Sequence, residues 1–228
     1  MENILKIGHR GAKGHVAENT LESIEKALEL NVDGIEIDVH LSQTGELVVF
    51  HDFTLERLTG VTGEIAMKSL EELENLKVEG SYKIPTLLEV LDLIDGRCLL
   101  NIELKGARTA FETCKSILIY TQTKNWKLED FIVSSFQFDE LTTVYNINKN
   151  IPLAVLTQTD LNEAMQFAHS IKAKTIHPRF ELLTAEDVTN MQAHGFKVNV
   201  WTVNSAEDIS RIKSYGVNGI ISDFPDRL

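Results

Sequence analysis

Residues 34–39 read Gly34-Ile35-Glu36-Ile37-Asp38-Val39 and alternate apolar with acidic side chains. Because successive side chains on a strand point to opposite faces, the three branched residues share one face and the two carboxylates share the other. The run Asn101-Ile102-Glu103-Leu104-Lys105 repeats the pattern, with three polar residues on one face. Buried carboxylates are costly unless they are paired, hydrogen-bonded or bound to a metal. The two runs therefore predict strands that carry a polar site.

Short β-rich runs alternate with amphipathic helical patterns through almost the whole sequence. The strand candidates are Ile4–Gly8, Gly34–Val39, Leu47–Phe50, Cys98–Leu104, Phe131–Ser135, Pro152–Leu156, Thr175–His177, Lys197–Val203 and Gly219–Ser222. Such alternation predicts a parallel sheet, and at this chain length it favours a closed (β/α)8 TIM barrel over an open doubly wound sheet. The open sheet would require a G-x-G-x-x-G turn after the first strand, which instead ends in Gly8-His9-Arg10-Gly11.

Helix starts are marked by a capping residue followed three positions later by Glu or Asp. The pairs with this spacing are Asn19 and Glu22, Ser69 and Glu72, Thr86 and Glu89, Asp160 and Glu163, Thr184 and Asp187, and Ser205 and Asp208.

The stretch from Asp52 to Pro85 interrupts the alternation of strands and helices. It contains the turn-rich run Thr59-Gly60-Val61-Thr62-Gly63 and one short helical run, Ser69–Leu76. We expect an insertion at about residues 52–85 that lies over the C-terminal mouth of the barrel. Since the sequence has no low-complexity segment or linker, residues 1–228 are predicted to form a single barrel domain.

Composition excludes several classes of partner. The hydrophobic fraction of 43% and the charged fraction of 25% are ordinary for a globular protein, while the net charge is -12. This acidic balance argues against binding to nucleic acid or to anionic lipid, both of which usually need basic patches. Any phosphate in the substrate would need locally placed cations.

The location of the protein is predicted from its N-terminus and its cysteines. Residues 1–6 show no signal-peptide pattern, and no apolar run approaches the roughly 20 residues that a membrane span needs. Cys98 and Cys114 form no metal-binding or redox motif and are expected to be buried thiols. We therefore expect a cytoplasmic protein without stable membrane association.

The predicted site contains three inward carboxylates, on Glu36, Asp38 and Glu103. Branched apolar residues normally fill a barrel interior, so this cluster calls for a counter-charge. A hard divalent cation, Mg²⁺ or Ca²⁺, suits oxygen ligands. The alternative is an ion-pair network in which Arg10 and Lys105 alone neutralise the acids.

His9 and His51 each follow an apolar run, as residues at strand ends would. Two imidazoles that titrate near neutral pH can serve as general base and general acid on opposite sides of a reacting phosphorus. Arg10 and Lys105 would supply positive charge to phosphate oxygens. The remaining histidines lack this context and are expected to be structural or at the surface: His15, His40, His169, His177 and His194.

Trp201 is predicted to share a strand face with Lys197 and Asn199. At a barrel mouth its ring could stack on a sugar or glycerol backbone, and core filling is an equal alternative. Asp223 follows the last strand, where it gives only a weak signal for a residue at the rim.

With these residues the chain resembles the compact bacterial type of glycerophosphodiester phosphodiesterase. The matching phrases run in family order: His9-Arg10-Gly11, Glu18-Asn19-Thr20, Asp33-Gly34-Ile35-Glu36-Ile37-Asp38, His51-Asp52, Ile84-Pro85-Thr86-Leu87, Asn101-Ile102-Glu103-Leu104-Lys105 and Val200-Trp201-Thr202-Val203-Asn204. The usual Pro-Glu-Asn-Thr phrase reads Ala17-Glu18-Asn19-Thr20 here, so alanine replaces its proline. His15 could touch the substrate, which leaves the headgroup preference open.

The resemblance implies a TIM barrel, a Mg²⁺ or Ca²⁺ ion, and hydrolysis of glycerophosphodiesters to sn-glycerol 3-phosphate and an alcohol. It implies metal ligands at Glu36, Asp38 and Glu103 and an acid–base pair at His9 and His51. It also implies phosphate binding by Arg10 and Lys105, a supporting role for Glu18 and substrate contact by Trp201.

Other functions remain open on the sequence. The nearest is a lysophospholipase D-like or phosphoinositide-type cleavage on the same fold, followed by a metal-dependent sugar isomerase and a non-catalytic metabolite-binding barrel. The expected partner is a small-molecule substrate, and the sequence leaves open whether the barrel forms a homodimer.

Overall fold

The structure is a computed structural model that describes residues 4–228. Its strands are β1 (Leu5–His9), β2 (Gly34–Leu41), β3 (Leu47–Val49), β4 (Leu99–Leu104), β5 (Phe131–Ser135), β6 (Leu153–Thr157), β7 (Thr175–Pro178), β8 (Lys197–Val200) and β9 (Gly219–Ser222). In this part of the chain all of them except β3 run parallel, and β1 pairs with both β2 and β9. The sheet therefore closes on itself, which confirms the predicted barrel. β3 pairs antiparallel with β2.

Helices cover the outside of this barrel, except for the two short ones at residues 56–59 and 70–74, which lie in the segment after β3. They are α1 (Leu21–Glu29), α2 (Glu56–Thr59), α3 (Leu70–Glu74), α4 (Leu87–Ile94), α5 (Ala110–Thr123), α6 (Phe138–Ile147), α7 (Leu161–Ser170), α8 (Ala185–Ala193) and α9 (Ala206–Ser214). Capping boxes form at Ser69, Thr86 and Thr184, as their spacing predicts. Among residues 4–228, no helix is long and apolar enough to cross a membrane.

The core lies between the strands and the helices. Ile35, Ile37 and Val39 point outward from β2 into this layer and are completely buried. They alternate with Glu36 and Asp38 because one face of β2 packs against helices and the other face lines the barrel interior.

The predicted end of β8 and the predicted cap of α1 are wrong. The ladder of β8 ends at Val200, not Val203, and Trp201 makes only an isolated bridge with Arg179. Thr20, not Asn19, caps α1, because its Oγ1 accepts from the Ser23 N–H at 3.1 Å.

The segment between β3 and α4 packs around a small apolar cluster of its own, which is separate from the main core. Its buried members are Ala17, Val48, Phe50, Leu55, Leu58, Ile65, Leu73, Val78 and Ile84. Ala17 belongs to the loop after β1, so this cluster joins the segment to the end of the barrel where that loop lies. That residues 52–85 are an insertion in a single-domain chain stays a prediction.

Candidate active site

The three predicted carboxylates meet at one edge of the barrel. Strand register places Asp38 of β2 beside Glu103 of β4, and Glu36 beside His9 of β1. One carboxylate oxygen from each of the three acids lies within 4.8 Å of the others, and all three side chains are buried. The strand pattern read from the sequence thus brings these groups together.

Burial and the repulsion between the acids disfavour the ionised form of two of these carboxyl groups. They raise the pKa of Glu36 well above its ordinary value and that of Glu103 to about 7. Burial also raises the pKa of Asp38, but the charges of Arg10, His51 and Lys105 outweigh it and hold that pKa low. One carboxylate is therefore firmly ionised between two that resist ionisation.

These residues fit a hard divalent cation. They present carboxylate oxygens, which are the donors that Mg²⁺ and Ca²⁺ prefer. Asp38 Oδ1 is buried without a hydrogen-bond partner among residues 4–228, a state that normally requires an explanation. A bound cation would satisfy this oxygen and neutralise the repulsion between the acids.

Both predicted histidines line the same cavity as Glu36 and Glu103. His9 Nδ1 lies 2.5 Å from Asp223 Oδ1, and its Nε2 lies 3.9 Å from Glu36 Oε2. His51 Nδ1 lies 2.7 Å from Asp52 Oδ1. Burial lowers the pKa of each imidazole, while its carboxylate partner acts in the opposite direction. Each Nδ1 is thus held by a carboxylate, which leaves Nε2 for other contacts.

Arg10 reaches three acids. Its backbone N–H donates to Glu36 at 3.0 Å, its Nη1 donates to Glu18 at 2.6 Å, and its Nε lies 3.3 Å from Asp38. Lys105 Nζ donates to Glu103 at 3.0 Å. Arg10 and Lys105 therefore form the ion pairs that the alternative without a metal requires. These pairs are compatible with a bound cation, because Asp38 Oδ1 still lacks a hydrogen-bond donor in the described part of the chain.

Glu18 is linked to the segment between β3 and α4 by Arg57, a residue that the sequence analysis missed. Its two carboxylate oxygens accept from Arg57 at 2.7 and 3.1 Å, and the same guanidinium donates to both oxygens of Asp52 at 2.6 and 2.8 Å. The hydrogen bonds from Arg57 hold the pKa of Asp52 well below its ordinary range. No motif marks Arg57, because it contacts a residue 39 positions away.

Asn19 is a second missed residue. It has a positive φ of 57°, which turns its side chain back toward β2. Its Nδ2 donates to Asp38 Oδ2 at 2.9 Å, and its Oδ1 accepts from the Asp38 N–H at 3.3 Å. Asparagine tolerates this left-handed conformation better than most residues, which suits it to the position. It belongs to the site and not to the helix cap that its spacing predicts.

Part of the cavity lining is apolar. Trp201 lies in this part of the lining with its ring edge-on to Phe136, 5.6 Å between centroids, and its Nε1 donates to the backbone oxygen of His177 at 2.8 Å. The open cavity measures about 760 Å³. Its lining residues are His9, Arg10, Glu36, His51, Asn101, Glu103, Lys105, Phe136, Leu156, Gln158, Trp201, Thr202 and Ile221.

None of the five other histidines in the described chain belongs to that lining. His15 pairs with Asp226 near the surface, 2.6 Å away, and His40 is buried beside the backbone of His51. His177 is fully buried, and its burial lowers its pKa to about 3. Cys98 and Cys114 are free thiols, and the first is only half-buried where burial was predicted.

Comparison with known proteins gives consistent matches over the whole chain. The model of the glycerophosphoryl diester phosphodiesterase family matches residues 9–227. A glycerophosphodiester phosphodiesterase of Caldanaerobacter subterraneus is 36% identical over 233 residues, covering 98% of this chain and 96% of that protein. One of Bacillus altitudinis is 35% identical over 231 residues, covering 96% and 94%.

Solved structures show the same likeness. A phosphodiesterase of Oleispira antarctica, solved in complex with the product sn-glycerol-3-phosphate, superposes with a TM-score of 0.88 at 28% identity. The superposition covers 97% of this chain and 93% of that one. The resemblance read from the motifs is thus confirmed, as is the prediction of an enzyme.

Proposed function

The chain belongs to the glycerophosphoryl diester phosphodiesterase family, and we propose that it hydrolyses glycerophosphodiesters with a divalent cation and two histidines. The products are sn-glycerol 3-phosphate and an alcohol, and the family relation supports this product: the relative from Oleispira antarctica was solved with sn-glycerol-3-phosphate bound.

The observation that carries the proposal is the position of His9 and His51 around one carboxylate cluster. Both imidazoles line the cavity that also contains Glu36 and Glu103, and each Nδ1 contacts a carboxylate outside the cluster. An oriented imidazole with a free Nε2 is the arrangement that proton transfer requires.

Glu36, Asp38 and Glu103 would hold the cation. When bound, Mg²⁺ or Ca²⁺ supplies positive charge to the phosphoryl oxygens where negative charge develops in the transition state. Two observations support this assignment: Asp38 Oδ1 is buried without a hydrogen-bond partner within residues 4–228, and the pKa values of Glu36 and Glu103 are raised. A bound cation would coordinate that oxygen and would stabilise the ionised form of both glutamates.

The two histidines divide the proton transfers. His9 Nε2 takes a proton from the attacking group, either water or a hydroxyl of the substrate glycerol. His51 gives a proton to the oxygen of the leaving alcohol as its bond to phosphorus breaks. Arg10 and Lys105 bind the non-bridging phosphate oxygens, and Trp201 contacts the carbon skeleton of the substrate. Glu18 supports the site through its contacts with Arg10 and Arg57.

The alternatives differ in their products. Membership of a phosphodiesterase family leaves no support for the sugar isomerase or for the non-catalytic binding barrel. A lysophospholipase D-like activity on the same site would use lysophosphatidylcholine and release choline, whereas the proposed activity uses a substrate without an acyl chain.

The direct test is product identification by ³¹P NMR. The protein is incubated with glycerophosphocholine, -ethanolamine, -glycerol, -inositol and lysophosphatidylcholine, each with Mg²⁺, with Ca²⁺ and with EDTA. We expect sn-glycerol 3-phosphate from at least one glycerophosphodiester with a cation and none with EDTA. Turnover of lysophosphatidylcholine alone would assign the alternative activity, and undiminished turnover in EDTA would refute the role of the cation.

A further inference from the structure

Asp223 connects His9 to a neighbouring strand. The strands β8, β9 and β1 are adjacent in the barrel, and Asn204, Asp223 and His9 lie beyond or at their respective ends. We propose that Asp223, held in place by Asn204, is a positioning residue that fixes the tautomer of His9. This inference rests on the proposed role of His9 as a proton carrier.

The orientation of Asn204 follows from its partners. Its side-chain Oδ1 lies 2.9 Å from the backbone N–H of Asp223 and 3.0 Å from Ser222 Oγ. A backbone N–H can only donate, so the atom that faces it must be the amide oxygen. The Asn204 Nδ2 is therefore the group that points to Asp223 Oδ2, to which it donates at 2.8 Å.

The proton position on His9 follows in turn. An ionised carboxylate only accepts hydrogen bonds, and Asp223 Oδ1 lies 2.5 Å from His9 Nδ1. Burial raises the pKa of Asp223, but the hydrogen bond from His9 and the adjacent positive charge outweigh it and keep the group ionised. His9 Nδ1 must then carry the proton, so the lone pair of the neutral ring is on Nε2.

Replacing Asp223 by Asn reverses this arrangement without changing the shape of the side chain. Asn204 cannot turn over, because its oxygen is fixed by a backbone N–H. Its amide group would therefore attract the new oxygen at position 223 and turn the new amide nitrogen toward His9. That nitrogen donates to His9 Nδ1 and moves the imidazole proton to Nε2, the atom that should accept a proton from the attacking group.

The pair of residues can also be exchanged. In the double variant Asp223→Asn with Asn204→Asp, a carboxylate at position 204 still accepts from the backbone N–H of Asp223. Its second oxygen attracts the amide nitrogen at position 223, so the amide oxygen faces His9. The Nδ1–H tautomer returns, which a purely structural role for Asp223 does not predict.

The matched control is a second aspartate–histidine pair on the same loop. Asp226 Oδ1 lies 2.6 Å from His15 Nε2, near the surface and outside the cavity lining. Asp226→Asn removes that contact and should leave turnover unchanged.

The experiment measures kcat and KM for release of sn-glycerol 3-phosphate, together with histidine tautomers by long-range ¹H–¹⁵N NMR. The His9 signal is the one absent from His9→Gln, and the remaining signals report whether each variant is folded. For Asp223→Asn we expect kcat to fall by about 10² to 10³-fold with little change in KM, and the His9 tautomer to invert. The exchanged pair should restore the tautomer and recover at least about 10-fold in kcat.

Dependence on His9 is tested in a second background. Asp223→Asn should cause no further loss in His9→Gln, because it acts through that ring. An equal loss in both backgrounds, an unchanged tautomer, or wild-type kcat in Asp223→Asn would overturn the inference. If His9→Gln is inactive while Asp223→Asn is fully active, only the positioning role fails. If His9→Gln keeps most of its activity, the proton-carrier role fails and the inference fails with it.

Discussion

Arg57, on helix α2, donates two hydrogen bonds to Glu18, on the loop after β1, at 2.7 and 3.1 Å. The same guanidinium holds Asp52, which holds His51 in turn. The His51 imidazole is thus linked to the loop after β1 through Asp52 and then through a single arginine, Arg57. Its partner Glu18 is buried, so the pair is better shielded from solvent than a surface ion pair.

The first prediction concerns Arg57→Gln. Loss of the guanidinium leaves Glu18 with fewer donors and frees Asp52, so we expect kcat to fall by about 10 to 100-fold. We also expect the free energy of unfolding to fall by about 1–2 kcal/mol. Steady-state kinetics and urea unfolding at pH 7 measure the two effects.

Arg179→Gln is the matched control. Arg179 pairs with Glu181 two positions away, and both side chains are exposed. Such pairs contribute little to stability, so this variant should match the wild type in turnover and in midpoint of unfolding. Full activity in Arg57→Gln would contradict the proposed alignment of His51.

Glu18 predicts a pH dependence of stability. Burial raises the pKa of Glu18, but hydrogen bonds from Arg57 and the charges of Arg10 and Lys13 have the larger effect. The resulting pKa is about 2. Because the folded-state pKa lies below the unfolded value, the ionised group stabilises the fold above pH 4.5, and this contribution is lost as the pH falls toward 2. This contribution amounts to about 3 kcal/mol.

Urea unfolding of wild type and Glu18→Gln between pH 7 and pH 3 tests this. The difference in free energy of unfolding should be constant from pH 7 to about pH 5 and should narrow below it. Glu181→Gln, at an exposed ion pair, should show a small difference throughout. A gap for Glu18→Gln that stays constant down to pH 3 would mean that its ionisation does not stabilise the fold.

Cation binding predicts a ligand-dependent stability. A cation at 100 times its Kd stabilises the folded state by about 2.7 kcal/mol. For a chain of this length that corresponds to a rise in Tm of about 5–10 °C. Differential scanning fluorimetry with EDTA and with Mg²⁺ or Ca²⁺ measures it, and Glu103→Gln should reduce the shift strongly. Glu112→Gln, which removes a surface pair with Lys115, should keep the shift, and an equal shift in both variants would place the cation elsewhere.

Site residues could be predicted from the sequence where a periodic pattern determines which face of a strand a residue occupies. Alternation along residues 34–39 puts Glu36 and Asp38 inside the barrel, and the same alternation puts Glu103 there on β4. The barrel follows from the count and spacing of strands, because eight parallel strands in one sheet of this size close readily. These features are properties of local segments, so the sequence alone was sufficient to predict them.

Contacts between side chains that are distant in the sequence leave no periodic pattern. The sequence was therefore insufficient to predict them. His9 and Asp223 are 214 positions apart, yet closing the barrel necessarily places the last strand beside the first. That pair could therefore have been predicted from the fold. Arg57 could not, because it lies in the segment between β3 and α4, whose path no strand pattern determines. The spacing of Asn19 fits a helix cap, but in the structure Thr20 caps the helix and Asn19 bonds to Asp38 from a backbone with positive φ.

The central proposal is that His9 and His51 both carry protons in a cation-dependent hydrolysis. The most direct measurement is the initial rate of sn-glycerol 3-phosphate release by wild type, His9→Gln and His51→Gln, each with saturating cation and with EDTA. We predict that each substitution lowers kcat by at least about 10³-fold with the Tm retained, and that EDTA abolishes wild-type turnover. Wild-type turnover in either histidine variant, or in EDTA, would contradict the account.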